Sequence, residues 1–207
     1  MEKTNLVKAS RRQFITKIVP ACAMTCLGSK HLLGMMHSLP QQGGKHKFDH
    51  PIDFTLTYRQ FQRNANRGKI QLIKTLIKEL GEERAIEIIK TDTREAALAL
   101  GQRQAQAAKK NDFNTYVNMF RDPEQYKYTL TMEIIEDSEK AFELKVTECL
   151  FAEPYIEAGL GGDVGFAALC YMDYFWPKGF NENIKLIRDK TLMQGHAYCN
   201  HRYIFEG

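Results

Sequence analysis

The feature that most constrains this chain is a change of hydrophobic period at Tyr126. Before it, apolar residues recur at intervals of three and four; after it, two stretches alternate strictly between apolar and polar. The first regime predicts a helix over Tyr58 to Leu80, with Phe61, Ile70, Ile73, Leu76, Ile77 and Leu80 on one stripe and Gly81 at the stop. A second helical stretch runs from Glu82 to Lys110, with room for a break near Thr91 to Thr93 and an Ala-rich later half suited to close packing. Phe113 to Phe120 gives a short third helix, closed by Asp122-Pro123.

The second regime predicts strands. Tyr126, Tyr128, Leu130, Met132 and Ile134 alternate with Lys127, Thr129, Thr131 and Glu133; after a turn over Asp137 to Lys140, Phe142, Leu144 and Val146 alternate again. Cys149 falls one position out of phase with these residues, so either a bulge re-aims it or the strand ends there. Pro154 and Gly159 to Gly162 frame a short helix, and Val164 to Phe175 reads as another, on which Cys170 and Asp173 share a face. Beyond Trp176-Pro177, "NIKLIRDKTLM" and "HAYCNHRYIF" alternate on either side of Gln194-Gly195 and predict a second hairpin. The order implies an α+β fold: an antiparallel sheet of about four strands, covered on one face by helices.

Composition matters mainly for the first 44 residues. Ser10-Arg11-Arg12-Gln13-Phe14-Ile15-Thr16-Lys17 matches the twin-arginine export signal at every motif position (Ser10, Arg11, Arg12, Phe14, Lys17), and a mildly apolar run to Gly28 follows. That run is too short and too polar for a bilayer span, which needs about 20 mainly apolar residues. Cys26-Leu27-Gly28 is the best small-residue cleavage point, and Leu39 to Gly44 reads as a tether. The expectation is a leader and tether over 1–44 and a single domain over 45–207, exported by the twin-arginine translocase to the periplasm, with no stable membrane span after processing.

Residues 1–44 hold six of the 29 Lys and Arg and one of the 25 acids, so 23 bases face 24 acids in the remainder. The formal charge of +4 therefore belongs to the leader, and no basic stripe remains to support a nucleic-acid partner. Five cysteines become three: Cys149, Cys170 and Cys199.

Reactive side chains concentrate in the last third. A free Cys such as Cys170 is ordinarily a small buried hydrophobe, but Asp173 one turn away must reach solvent or hold a cationic or hydrogen-bonding partner. On a strand, His196, Tyr198, Asn200 and Arg202 point one way, and Ala197, Cys199, His201 and Tyr203 the other. Cys199 and His201 are thus same-face neighbours, suited to an activated thiolate or, with Asp173 or Cys149, to zinc. The paired spacings typical of zinc sites are missing, so no metal or other cofactor is expected. A Cys149 to Cys199 disulfide between neighbouring strands is a purely structural alternative.

The stretch from Glu148 through Arg202 resembles the L-2-amino-thiazoline-4-carboxylic acid hydrolase family. What matches is a Cys leaving a strand (Cys149), a helix bearing Cys-x-x-Asp (Cys170, Asp173), Arg-x-x-Thr-Leu-x-x-Gly (Arg188 to Gly195) and a Cys-x-x-Arg strand (Cys199, Arg202). The resemblance implies hydrolysis of a carbon–nitrogen bond in a cyclic amidine by a thiolate or an activated water. Cys170 or Cys199 would be the nucleophile, Cys149 close by, and Asp173 the partner of the amidinium; Arg188 or Arg202 would take a substrate carboxylate, with His196, His201 and Asn200 as further substrate contacts. In the family's pattern the last motif reads Cys-Asp-Phe-Arg, where this chain has Cys199-Asn200-His201-Arg202; an amide cannot replace a carboxylate that works as a base. The alternative expectation is an exported, non-catalytic small-molecule binding or accessory domain.

Overall fold

The computed structural model describes residues 56–122 and 124–207. The twin-arginine motif, the tether and Pro123 lie outside these residues.

Helix α1 (Tyr58–Leu80) starts at a capping box: the Thr57 hydroxyl accepts from the Gln60 N–H, while the Gln60 side chain takes the Thr57 N–H. It stops at Gly81, whose φ of 80° disfavours any side chain and whose N–H still reaches the Ile77 carbonyl. Helix α2 (Glu82–Ala107) runs without the break expected near Thr91 to Thr93. Thr93 is buried, and Thr91 returns its hydroxyl to the Glu87 carbonyl, so the two threonines stay inside the helical ladder. Helix α3 (Phe113–Arg121) is capped by Asp112, which accepts from the Thr115 N–H.

Four strands follow: β1 (Leu130–Asp137), β2 (Ala141–Cys149), β3 (Ile184–Ile187) and β4 (Cys199–Phe205), all antiparallel in the order β1-β2-β4-β3. Between β2 and β3 lie α4 (Glu153–Glu157), α5 (Asp163–Ala168), a 3-10 turn (Cys170–Tyr174) and α6 (Trp176–Phe180). The protein is therefore α+β, as the change of period implies.

Three local expectations are corrected. Strand β1 begins at Leu130, because Tyr126 to Thr129 form a turn with the Thr129 and Leu130 N–H groups on the Tyr126 carbonyl. Bulges then interrupt its alternation: Ile135 is unpaired between Ile134 and Glu136, and Ile134 ends 43% exposed instead of buried. The helix expected over Val164 to Phe175 breaks at Leu169 (φ −126°, ψ −60°), and Pro177 sits in the first turn of a further short helix, α6. The strand "NIKLIRDKTLM" ends at Ile187, so Arg188 to Tyr198 is a long connection holding a 3-10 turn at Leu192–Gln194 in place of a tight hairpin.

The interior has two clusters. One packs α3, α6 and the inner sheet face through Phe113, Tyr116, Phe120, Phe142, Phe180 and Tyr203. The other joins α1, α2, α4 and α5 through Ile73, Ala85, Ile89, Ala152, Ala167 and Ala168. The Ala-rich half of α2 does pack closely: a Cβ on Gly101 would overlap the backbone of Trp176 and Phe180 in α6. Among the described residues no helix is long and apolar enough to cross a membrane.

Candidate active site

The site forms where the 3-10 turn, the exit of β3 and the middle of β4 meet. In a 3-10 turn residues three apart eclipse, so Cys170 and Asp173 do share a face, though not on an α-helix. Strand β4 supplies His201 on the face that also carries Cys199 and Tyr203, while Asn200 and Arg202 take the opposite face. Immediately after β3, Arg188 turns inward.

Arg188 organises the centre. Its side chain is 1% exposed; Nη1 donates to Asp173 Oδ2 at 2.6 Å and stands 2.9 Å from His201 Nε2, and Nη2 donates to the Cys170 carbonyl at 2.6 Å. The guanidinium lies 5.0 Å from the ring centre of Tyr174 and 5.5 Å from that of Phe166, and the Tyr174 hydroxyl donates to the Arg188 carbonyl at 3.1 Å. His201 Nε2 is also 3.4 Å from Asp173 Oδ2, so one carboxylate oxygen faces both the guanidinium and the imidazole. Burial alone would raise the Asp173 carboxyl; the His201 hydrogen bond and the Arg188 charge outweigh it and hold the group below the ordinary carboxylate range. Asp173 is an ionised, half-buried carboxylate in consequence.

Three buried polar atoms in this region lack a partner: Arg188 Nε, His201 Nδ1 and Tyr116 Oη. Unpaired buried groups cost about 1–3 kcal/mol each, so their gathering in one neighbourhood suits a site that water or a ligand completes. Aromatic hydroxyls stand around Asp173. Burial, with the carboxylate charge adding, pushes Tyr126 up to about 12 and also raises Tyr116 and Tyr203 well above the ordinary phenol range.

The three cysteines are free thiols. Thr147 has no partner in the β1–β2 ladder, and this bulge shifts the phase by one so that Cys149 turns back toward the interior and packs against both clusters. Burial pushes Cys149 up to about 11 despite hydrogen bonds from the Ala152 and Phe151 N–H groups, and it raises Cys170 and Cys199 as well. At neutral pH all three are protonated. Cys199 is further occupied as acceptor of the Leu192 N–H at 3.1 Å.

The remaining residues named from sequence lie elsewhere. Arg202, on the outer sheet face, donates through Nε to Glu136 at 3.0 Å and approaches Glu143 at 3.8 Å. His196 is exposed on the connection, its Nδ1 against the Thr191 backbone. Asn200 Oδ1 accepts from the N–H groups of Asp189 and Lys190. Among the described residues no three His, Cys, Asp or Glu side chains converge closely enough to hold a metal. Sequence reasoning missed Tyr174, which holds Arg188 at both its carbonyl and its guanidinium; the aromatic run "YMDYFW" around Asp173 was the available signal.

Two solved structures are similar in outline. The phenol-responsive sensory domain of the transcription activator PoxR with phenol is 12% identical with a TM-score of 0.47, over 67% of this chain and 73% of that one. The trafficking protein particle complex subunit 3 from Naegleria fowleri, covalently bound to palmitic acid, is 10% identical with a TM-score of 0.46, over 71% of this chain and 96% of that one. No curated protein matches the sequence. The family described as L-2-amino-thiazoline-4-carboxylic acid hydrolase matches residues 58–203, which take in every helix and strand from α1 into β4 and so contain Cys170, Asp173, Arg188 and His201. The chain belongs to the L-2-amino-thiazoline-4-carboxylic acid hydrolase family.

Proposed function

We propose that the protein hydrolyses a carbon–nitrogen bond of a small cyclic amidine or a related ring, with water as the nucleophile and the Asp173–His201 pair handling its proton. The observation that carries this reading is the shared Asp173 oxygen, 2.6 Å from Arg188 Nη1 and 3.4 Å from His201 Nε2, next to an imidazole whose Nδ1 is buried and unpartnered. Either tautomer of His201 leaves Nδ1 as the ring atom that meets water or substrate. Arg188 Nη1 can only donate, so in the tautomer whose Nε2 accepts from it at 2.9 Å, Nδ1 carries the proton and is an acid toward the departing nitrogen. Where the Nε2 proton turns instead to Asp173, Nδ1 is a base and the carboxylate stabilises the imidazolium that forms. The water oxygen bonds to the amidine carbon, the ring carbon–nitrogen bond breaks, and the proton passes to the departing nitrogen. The raised thiols favour water over a cysteine nucleophile.

Incubation of the purified chain with 2-amino-thiazoline-4-carboxylate and a panel of cyclic amidines, followed by product assay for a carbamoyl group, tests this. Asp173→Asn and His201→Asn are expected to abolish turnover while each single Cys→Ser variant retains it. Turnover that survives both polar substitutions removes the mechanism; loss at one cysteine alone restores the thiol.

A second reading, an exported domain that binds a small molecule without turning it over, draws on a specific observation. Arg188 is committed to internal partners and Arg202 to Glu136, so neither guanidinium presents an open fork to a substrate carboxylate. Raised thermal stability with a ligand that is never consumed would favour it. In both readings the motif at Ser10 to Lys17 supports delivery by the twin-arginine translocase to the periplasm. Fractionation of cells expressing the Arg11→Lys, Arg12→Lys double variant should find the protein retained in the cytoplasm; unchanged export would refute that route.

A further inference from the structure

Asn200 lies on the face of β4 turned away from Asp173, yet it holds the segment that delivers Arg188. The β3–β4 register, Ile184 opposite Phe205 through Ile187 opposite Arg202, would next bring Arg188 opposite His201 and then Asp189 opposite Asn200, but β3 has already ended. The Asn200 side chain continues the pairing: Oδ1 accepts from the Lys190 N–H at 2.9 Å and the Asp189 N–H at 3.2 Å, and the Asn200 N–H donates to the Lys190 carbonyl at 3.3 Å. On the other side, the Tyr174 hydroxyl fixes the Arg188 carbonyl. The backbone of Arg188 is thereby gripped from β4 and from the 3-10 turn.

We propose that Asn200 is a positioning residue for the Asp173–His201 site, acting through the backbone of Arg188 to Lys190 and touching no substrate. A shift of Arg188 by 1 Å would disturb its contacts with Asp173, His201 and the Cys170 carbonyl together, since all are made by one planar guanidinium. The role needs only an acceptor oxygen at the end of a short side chain. Aspartate supplies one and alanine does not.

The test compares N200D and N200A in the full chain, with two readouts. The first is turnover, which rests on the proposed hydrolysis: N200A should lower kcat about 100-fold with little change in KM, and N200D should restore it. The second is independent of turnover: the carboxyl carbon of Asp173 is followed by NMR through an acid titration. Burial raises this carboxyl while His201 and Arg188 lower it, so a displaced guanidinium moves the titration upward in N200A and leaves it in place in N200D. An unmoved Asp173 titration in N200A, or an N200D variant as damaged as N200A, overturns the proposal. If N200A does not fold, Tyr174→Phe removes the other grip at the cost of one hydroxyl, and the same upward movement is expected; no movement there also overturns it. A wild-type chain that never turns over would refute the hydrolase while the titration still decides the role of Asn200.

Discussion

The two interior clusters are built of different materials, and the site lies on their seam. The cluster against the sheet is aromatic: Tyr116 has Tyr203 at 5.4 Å, Phe180 at 5.5 Å and Phe120 at 5.9 Å between ring centres. The cluster under α1 is mostly aliphatic, with Ala85, Ala152, Ala167 and Ala168 set among Ile73, Ile89, Leu160, Val164 and Met193 and one aromatic, Tyr155, and at Gly165 the chain leaves no room for a side chain. Cys199 belongs to the first and Cys170 to the second, and Cys149 packs against both. Asp173, Arg188 and His201 occupy the line between them.

This contrast predicts opposite sensitivities. The largest losses, about 3–5 kcal/mol each in urea unfolding, are expected for Phe142→Ala, which empties a fully buried ring position, and for Arg188→Met at the seam. Arg188→Met also changes the pH dependence. In the wild type the Asp173 carboxyl is depressed, so its contribution is present above the ordinary carboxylate range and lost as pH falls through the lower folded value. Without Arg188 only the His201 hydrogen bond offsets burial at Asp173, so the carboxyl moves upward and its charge is held at a greater cost, which protonation relieves. The stability gap between wild type and variant should therefore narrow on acidification; a gap that widens would show that Arg188 does not hold Asp173 ionised.

In the second cluster, addition is the damaging change. Gly165→Ala would drive its methyl into the Leu160 carbonyl and the Met193 sulfur, with an expected loss of about 1–3 kcal/mol by thermal melting. A neutral result would mean that this cluster is no tighter than the aromatic one. The smallest effect is expected at Arg63→Gln: its bridges to Glu153 and Glu157 tie α1 to α4 across solvent, and the melting temperature should not move resolvably.

How much of this was legible depends on whether the deciding partner is local. The bounds of α1 follow from Gly81 and the apolar stripe, and α3 from its own period. The out-of-phase Cys149 correctly signalled an irregularity, which is the Thr147 bulge. Alternation along β4 also placed Cys199 with His201 and set Arg202 on the other face, which its pairing with Glu136 reflects. What could not be read was Arg188. "NIKLIRDKTLM" alternates well enough for a longer strand, but the strand stops where Arg188 turns in toward a carboxylate 15 residues earlier in the chain. The same guanidinium takes the Cys170 carbonyl, at the point where the expected helix gives way to a 3-10 turn.

The sequence by itself determined the class of the fold, because hydrophobic period and capping residues act over a few neighbours and dictate helix or strand before any tertiary contact forms. It also determined which reactive types are present: three thiols, the carboxylate of Asp173 among seven, two arginines and two histidines beyond Glu148. Tertiary structure decided which of them meet. Burying a guanidinium or a carboxylate is tolerable only against a partner of opposite charge at hydrogen-bonding distance, and that partner is fixed by how the 3-10 turn lies against β4, a relation no local pattern encodes.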